Sequence, residues 1–240
     1  MDLRIDSPWT TAAIVFSVLL GSSTASADPL KGSRSFMVDL HPGTVSSVRM
    51  IELVATVDPD HPHAPTKLEL RVGPVDKAPE QILSFTVEAG AEAALASADV
   101  VDVNFDGYRD FWVLREMGAK WGRYDVFVYE PKSGKFIKDN LSREVATLDN
   151  PEIDGASKII VSSSTGPSEP YRAVRKVQGG RLVVTDSCVF HNGKDTNQDD
   201  KNEGVLVIQK LVQGILKIVS QKEIAVGLQD NPCSGQPATP

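Results

Sequence analysis

Five short stretches alternate apolar and polar side chains with a period of two: TKLELRV (66–72), ILSFTV (82–87), YDVFVYE (124–130), KIIVSS (158–163) and RLVVTD (181–186). Successive side chains of a strand point to opposite faces, so this pattern, rich in β-branched and aromatic residues, predicts half-buried strands. Turn signals lie between them. EPKSGKF (130–136) and VQGGRL (177–182) both hold glycine, which supplies the positive φ of a tight hairpin, so neighbouring strands are predicted to pair antiparallel. The expected fold is mostly β, an antiparallel meander of hairpins, propeller-like or sandwich-like.

Three segments depart from the alternation. Residues 91–100 are alanine-rich and predict one or two helical turns. Near the C-terminus Ile208, Leu211, Val212, Ile215 and Val219 also fit a helical spacing, but the Val and Ile density and the central Gly214 favour a second hairpin there. DPDHPHAPT (58–66) is polar and broken by proline, which makes it an exposed loop.

An apolar run, AAIVFSVLLG (12–21), is too short to span a bilayer and is followed by Ala25-Ser26-Ala27, a small-x-small cleavage pattern. Residues 1–27 therefore read as a signal peptide, although Asp2 and Asp6 outnumber Arg4 in the leading segment. Residues 28–240 are expected to form one domain, exported to the periplasm or secreted, with no membrane span left after cleavage. The chain of 240 residues has a net charge of −7, which repels phosphate backbones and excludes nucleic acid as a natural partner. Only two cysteines occur, Cys188 and Cys233, and in an oxidising compartment they are expected to form one disulfide joining the tail to the TDSCVF strand.

The most specific chemistry lies in DVNFDGYRD (102–110). Calcium takes six to eight oxygen ligands, and single-loop sites supply them from alternate positions of a tight turn. Asp102, Asn104 and Asp106 fit the first, third and fifth positions, Gly107 the bend at the sixth, the Tyr108 carbonyl the seventh and Asp110 the ninth. Position twelve is Val113 where a helical EF-hand carries Glu, and the flanks ADVV and DFWVL read as strands. The loop thus resembles the strand-flanked calcium loops of FG-GAP type found in integrin α-chain propellers. A solvated turn holding no ion is the alternative.

Other constellations point less sharply. DTNQDDKNE (195–203) repeats the alternate oxygens at Asp195, Asn197 and Asp199 and reaches Glu203, but Asp200 stands where the glycine belongs, so a solvated acidic loop is expected. His61 and His63, near Asp58 and Asp60, form a His-x-His without a third ligand in a proline-rich loop. Ser162, Ser163 and Ser164 lack a nucleophile elbow and partners placed by sequence, and no phosphate-binding loop is present. The chain is read as a non-enzyme.

Between residues 99 and 186, DVNFDGYRD, YEPKSGKF, SKIIVSS and YRAVRKVQGGRL together resemble a family of exported bacterial proteins. That resemblance implies a calcium-stabilised β protein that binds and inhibits a peptidoglycan hydrolase, as periplasmic lysozyme inhibitors and immunity proteins do. It also implies an inserting loop, whose counterpart is SSSTGPSEPY (162–171), with Ser164, Gly166 and Tyr171 as the residues facing the protein partner. The alternative is an FG-GAP-like adhesion or scaffold module binding a protein or a cell-wall glycan. Propellers of that kind repeat the loop blade after blade, and one full loop is present.

Overall fold

The computed structural model describes residues 14–15, 30–42, 48–61, 64–164, 170–192, 201–227 and 232–233. It is mostly β, in three antiparallel sheets. Packing divides the chain into two compact units, Met1–Asp39 with Gly43–Ala96, and Leu40–Pro42 with Ser97–Pro240, where the sequence reading expects one domain.

In the first unit β1 (Ile14–Val15), β2 (Leu30–Asp39), β3 (Val48–Val57), β4 (Thr66–Gly73) and β5 (Gln81–Val87) follow one another as an antiparallel meander. The two residues of β1 come from the apolar run and pair with Ser33 and Arg34; the remainder of residues 1–27 lies outside the described residues. Period-two alternation sorts the faces. Ile51, Leu53, Leu68, Leu70 and Val72 are buried on one side, while Glu52, Glu69 and Arg71 form an ion-paired row on the other. After β5 comes the predicted helix, α1 (Ala91–Ser97), whose last carbonyls on Leu95 and Ala96 accept from the Arg34 guanidinium at 2.8 and 2.6 Å. A cation at a helix C-terminus satisfies carbonyls that have no partner inside the helix.

The second unit holds two sheets. β6 (Asp99–Val101), β7 (Asp110–Met117), β8 (Gly122–Glu130) and β9 (Lys135–Ile137) form the first; β10 (Glu152–Asp154), β11 (Ile159–Ser164), β12 (Tyr171–Gln178), β13 (Arg181–Asn192), β14 (Lys201–Val212) and β15 (Ile215–Gly227) form the second. They share a core. Val126 and Val128 of β8 pack with Ile160 of β11 and with Leu141, Val145 and Leu148 from the short helix α2 (Asn140–Val145) and the residues after it. Asp139 caps α2 in a reciprocal arrangement with Ser142, and Leu141 and Val145, four apart, present one buried face. The predicted hairpins are formed, with Gly134, Gly179 and Gly180 in the positive-φ region, and the C-terminal segment is the predicted second hairpin, turning at Gln213–Gly214.

Cys188 and Cys233 form the expected disulfide, with Cα atoms 5.7 Å apart and both residues buried. It closes a loop of 45 residues, which on loop-closure entropy stabilises the fold by about 4 kcal/mol. Replacing Cys233 with Ser is therefore expected to lower the free energy of unfolding of the second unit by about 3–4 kcal/mol in urea titrations. A variant as stable as the wild type would show that the tail contributes nothing.

Candidate metal centre

DVNFDGYRD joins β6 to β7, so the loop is flanked by strands on both sides. Its side chains divide by position. Val103 is fully buried in the core of the second unit and Phe105 packs against it, while Asp102, Asn104 and Asp106 lie toward the opposite, solvent side. The apolar residues fix the loop on its core side, and the oxygen-bearing residues lie on the more exposed side.

The turn is tied by a ladder of side-chain oxygens accepting backbone N–H groups. Asp102 accepts from Asp106 at 3.1 Å and from Gly107 at 2.9 Å; Asn104 accepts from Asp106 at 3.0 Å; Asp106 accepts from Tyr108 at 2.8 Å. The Asn104 amide also donates to Asp106 at 2.9 Å, so these two side chains are already in contact. Such Asx turns aim their oxygens at one region of space. Gly107 has φ +91°, and a Cβ there would meet nothing within 4 Å, so the glycine is required by backbone conformation alone. Phe105 also takes positive φ, at 61°, and its ring contact with the core offsets that strain.

Asp110 closes the loop from beneath. It is fully buried, and its two carboxylate oxygens accept from Val103 N–H at 2.8 Å and Tyr129 N–H at 2.9 Å, joining the loop to β8. Burial pushes its carboxyl up to about 7; the two N–H donors pull it down, and the charges of Asp106 and Asp102 raise it further. Among the described residues no Lys or Arg forms an ion pair with Asp102, Asp106 or Asp110. Three acidic groups thus share one loop without a basic partner.

The loop also anchors a distant segment of its own unit. Arg109 N–H donates to the Leu40 carbonyl at 2.9 Å, the His41 ring stacks on Tyr108 at 4.4 Å, and Tyr108 in turn lies 5.7 Å from Tyr129. Leu40 is buried. Neither contact has a sequence signature, because residues 40–42 carry no strand or turn pattern of their own.

The donor set fits a hard divalent cation: carboxylates of Asp102 and Asp106, the amide oxygen of Asn104, the Tyr108 carbonyl and Asp110 at the base. Among the described residues no three His, Cys, Asp or Glu side chains are grouped to hold a metal ion, so Asp102, Asp106 and Asp110 do not form a ready cluster. Asp195, Asn197, Asp199 and Asp200 of the other acidic stretch lie outside the described residues, as does His63; His61 hydrogen-bonds Asp58 at 3.0 Å.

The second predicted site is a hairpin connection. Ser164 and Tyr171 face each other in register at the ends of β11 and β12, and Gly166, between them, lies outside the described residues. Below them is a polar network that the sequence reading did not single out. Tyr171 donates to Asp149 at 3.3 Å, Arg123 donates to the other oxygen of Asp149 at 2.7 Å, and Arg175 donates to the buried Ser162 hydroxyl at 2.6 Å. Burial, then the Asp149 charge, raises the Tyr171 phenol above its ordinary value. This network ties the base of the connection to Asp149 and Arg123.

No family model matches the chain, and no curated protein does. Among solved structures it is similar to one described as the structure of a Xanthomonas Type IV Secretion System related protein, with a TM-score of 0.51 at 16% identity, covering 88% of this chain and 99% of that one. At that identity the likeness concerns the fold alone.

Two outcomes follow from the loop. Gly107→Ala should destabilise the second unit by about 1–2 kcal/mol through left-handed strain alone, read by urea denaturation, because space for the methyl is open. The raised Asp110 carboxyl makes the native state hold a proton that the unfolded chain, titrating near 3.8, has lost. Stability in metal-free buffer is therefore full below pH 3.8 as far as this group is concerned and falls as pH rises toward about 7. Asp110→Asn should flatten that slope, while lowering stability overall because an amide accepts only one of the two N–H bonds. A slope unchanged in the variant would remove Asp110 as its source.

Proposed function

We propose that the protein is a calcium-stabilised, exported β module that binds and inhibits a peptidoglycan hydrolase without catalysis of its own. The observation that carries the metal half is the loop 102–110, where oxygen-bearing side chains alternate beside a buried aspartate that has no basic partner among the described residues. Asp102, Asn104, Asp106, the Tyr108 carbonyl and Asp110 would hold the ion. When bound, it supplies the positive charge that the three carboxylates lack.

The rest of the chain then does the binding. Val103, Phe105 and the Asp110 clamp hold β6, β7 and β8 in one rigid body, whose core includes Ile160 of β11. The register of Ser164 opposite Tyr171 fixes the two ends of this connection on neighbouring strands. Ser164, Gly166 and Tyr171 are the residues assigned to contact the hydrolase. The negative charge of −7 favours encounter with basic hydrolases. Export is supported by the disulfide, which persists in oxidising compartments, and places the protein in the periplasm or outside the cell. The fold likeness to a protein described as related to a type IV secretion system agrees with an exported setting.

The test has two arms. Calcium should raise the thermal midpoint of the wild type relative to EGTA, and Asp106→Ala should abolish that rise and weaken calcium binding at least about a hundredfold by calorimetry. Turbidity assays with a panel of peptidoglycan hydrolases should then find one that the wild type inhibits and Tyr171→Ala inhibits at least about tenfold less. A calcium response without inhibition, accompanied by retention on peptidoglycan, would replace the inhibitor reading with an adhesion module. No calcium response would remove the metal site.

A further inference from the structure

The C-terminal hairpin of β14 and β15 leaves the core and exposes apolar side chains on both its faces. Cross-strand partners share a face and successive pairs alternate, so the register Val212↔Ile215, Leu211↔Leu216, Lys210↔Lys217, Gln209↔Ile218 puts an apolar pair on each side of the tip. Ile215 is 63% exposed, Ile218 57%, Val219 50% and Leu216 39%, levels at which single scattered residues need no explanation but a contiguous tip does. The charge on this segment is of one sign. From residue 205 to residue 222 there are three lysines, Lys210, Lys217 and Lys222, and no Asp or Glu, in a chain of net charge −7; exposed Glu223 follows directly after Lys222.

The edge itself resists strand addition. A register shift between Ile208 and Gln209 leaves Val219 as an extra, bulged residue, and Lys217 and Lys222 stand along the same outer strand. Bulges and edge lysines are the devices by which open edges avoid pairing with another chain. A protein partner or a second copy adding a strand to β15 would meet both, and would pair with the edge while leaving the apolar faces of the tip in water. A lipid interface wets both faces at once and attracts the lysines.

We propose that the β14–β15 tip is a peripheral membrane anchor: Val212, Ile215, Leu216 and Ile218 enter the headgroup region of an anionic bilayer, and Lys217 and Lys222 bind lipid phosphate. The interaction is reversible and independent of the metal loop.

The experiment is vesicle sedimentation of the full chain as recovered from the cell, at fixed calcium, with phosphatidylcholine vesicles and with vesicles containing phosphatidylglycerol. The wild type should partition onto the anionic vesicles and be released by salt. Lys217→Gln with Lys222→Gln should lower that partition about twentyfold, and Ile215→Ser with Ile218→Ser at least about tenfold. These positions are exposed, and circular dichroism of each variant checks that the sheet is intact. Absence of preference for anionic vesicles overturns the proposal. So does binding that persists undiminished in both folded variants, which assigns it to another segment. A dimer of the wild type that Ile215→Ser with Ile218→Ser dissociates also overturns it, because the tip is then covered by a second copy.

Discussion

A buried carboxylate with two backbone donors and no cation is the constraint on which the second unit turns. Asp110 can stay where it is only because Val103 and Tyr129 each give it an N–H, and those two donors come from the loop and from a strand across the sheet. Moving any of the three would leave a polar group buried without a partner, at a penalty of about 1–3 kcal/mol or more for a charge. Asp110 therefore ties the loop to β8, beside the backbone pairing that already joins β7 to β8. The same residue is the most strained electrostatically, since the groups it organises, Asp102 and Asp106, add to its own burial in raising its carboxyl.

Much of the fold could be read from periodicity, and the reasons for the remainder are local. β4 and β5 alternate because one face meets a core, whereas β8 and β11 are each buried over four consecutive residues, and the Gly-bearing hairpins take positive φ. α2 escaped because six residues cannot establish a helical period; its only advance signal was Asp139 three residues before Ser142. β2 and β3 were not singled out, although β3 has the burial alternation of any half-buried strand. The division into two units was not legible either, since Leu40–Pro42 lies in sequence within the first unit and packs in the second. At the loop 102–110, the spacing of oxygens and glycine predicted the turn, while the Asp149, Arg123 and Arg175 network beneath Tyr171 joins residues too far apart for any spacing rule.

The two sheets of the second unit are unequal, and much of its surface chemistry follows from that. Four strands face six, so the inner strands β11 and β12 bury Ile160, Val161 and Val174, while exposure rises steadily through β13 and β14 to β15. The disulfide is placed where that decline begins, at Cys188 on β13, and Cys233 brings a buried piece of the tail to it. Covalent attachment there substitutes for the covering layer that the shorter sheet does not supply.

Leu40 gives the division into units a further meaning. Its carbonyl and the His41 ring complete the packing around Arg109 and Tyr108, yet the gene encodes them between the two parts of the first unit. A ribosome releases this anchor early, and it waits for its seat until the loop has been made. A coding block for residues 97–240 alone would specify a unit missing a piece of its own interior. Recombination could not exchange the second unit as a cassette without carrying the first along, so the two are distinct in packing but inherited as one.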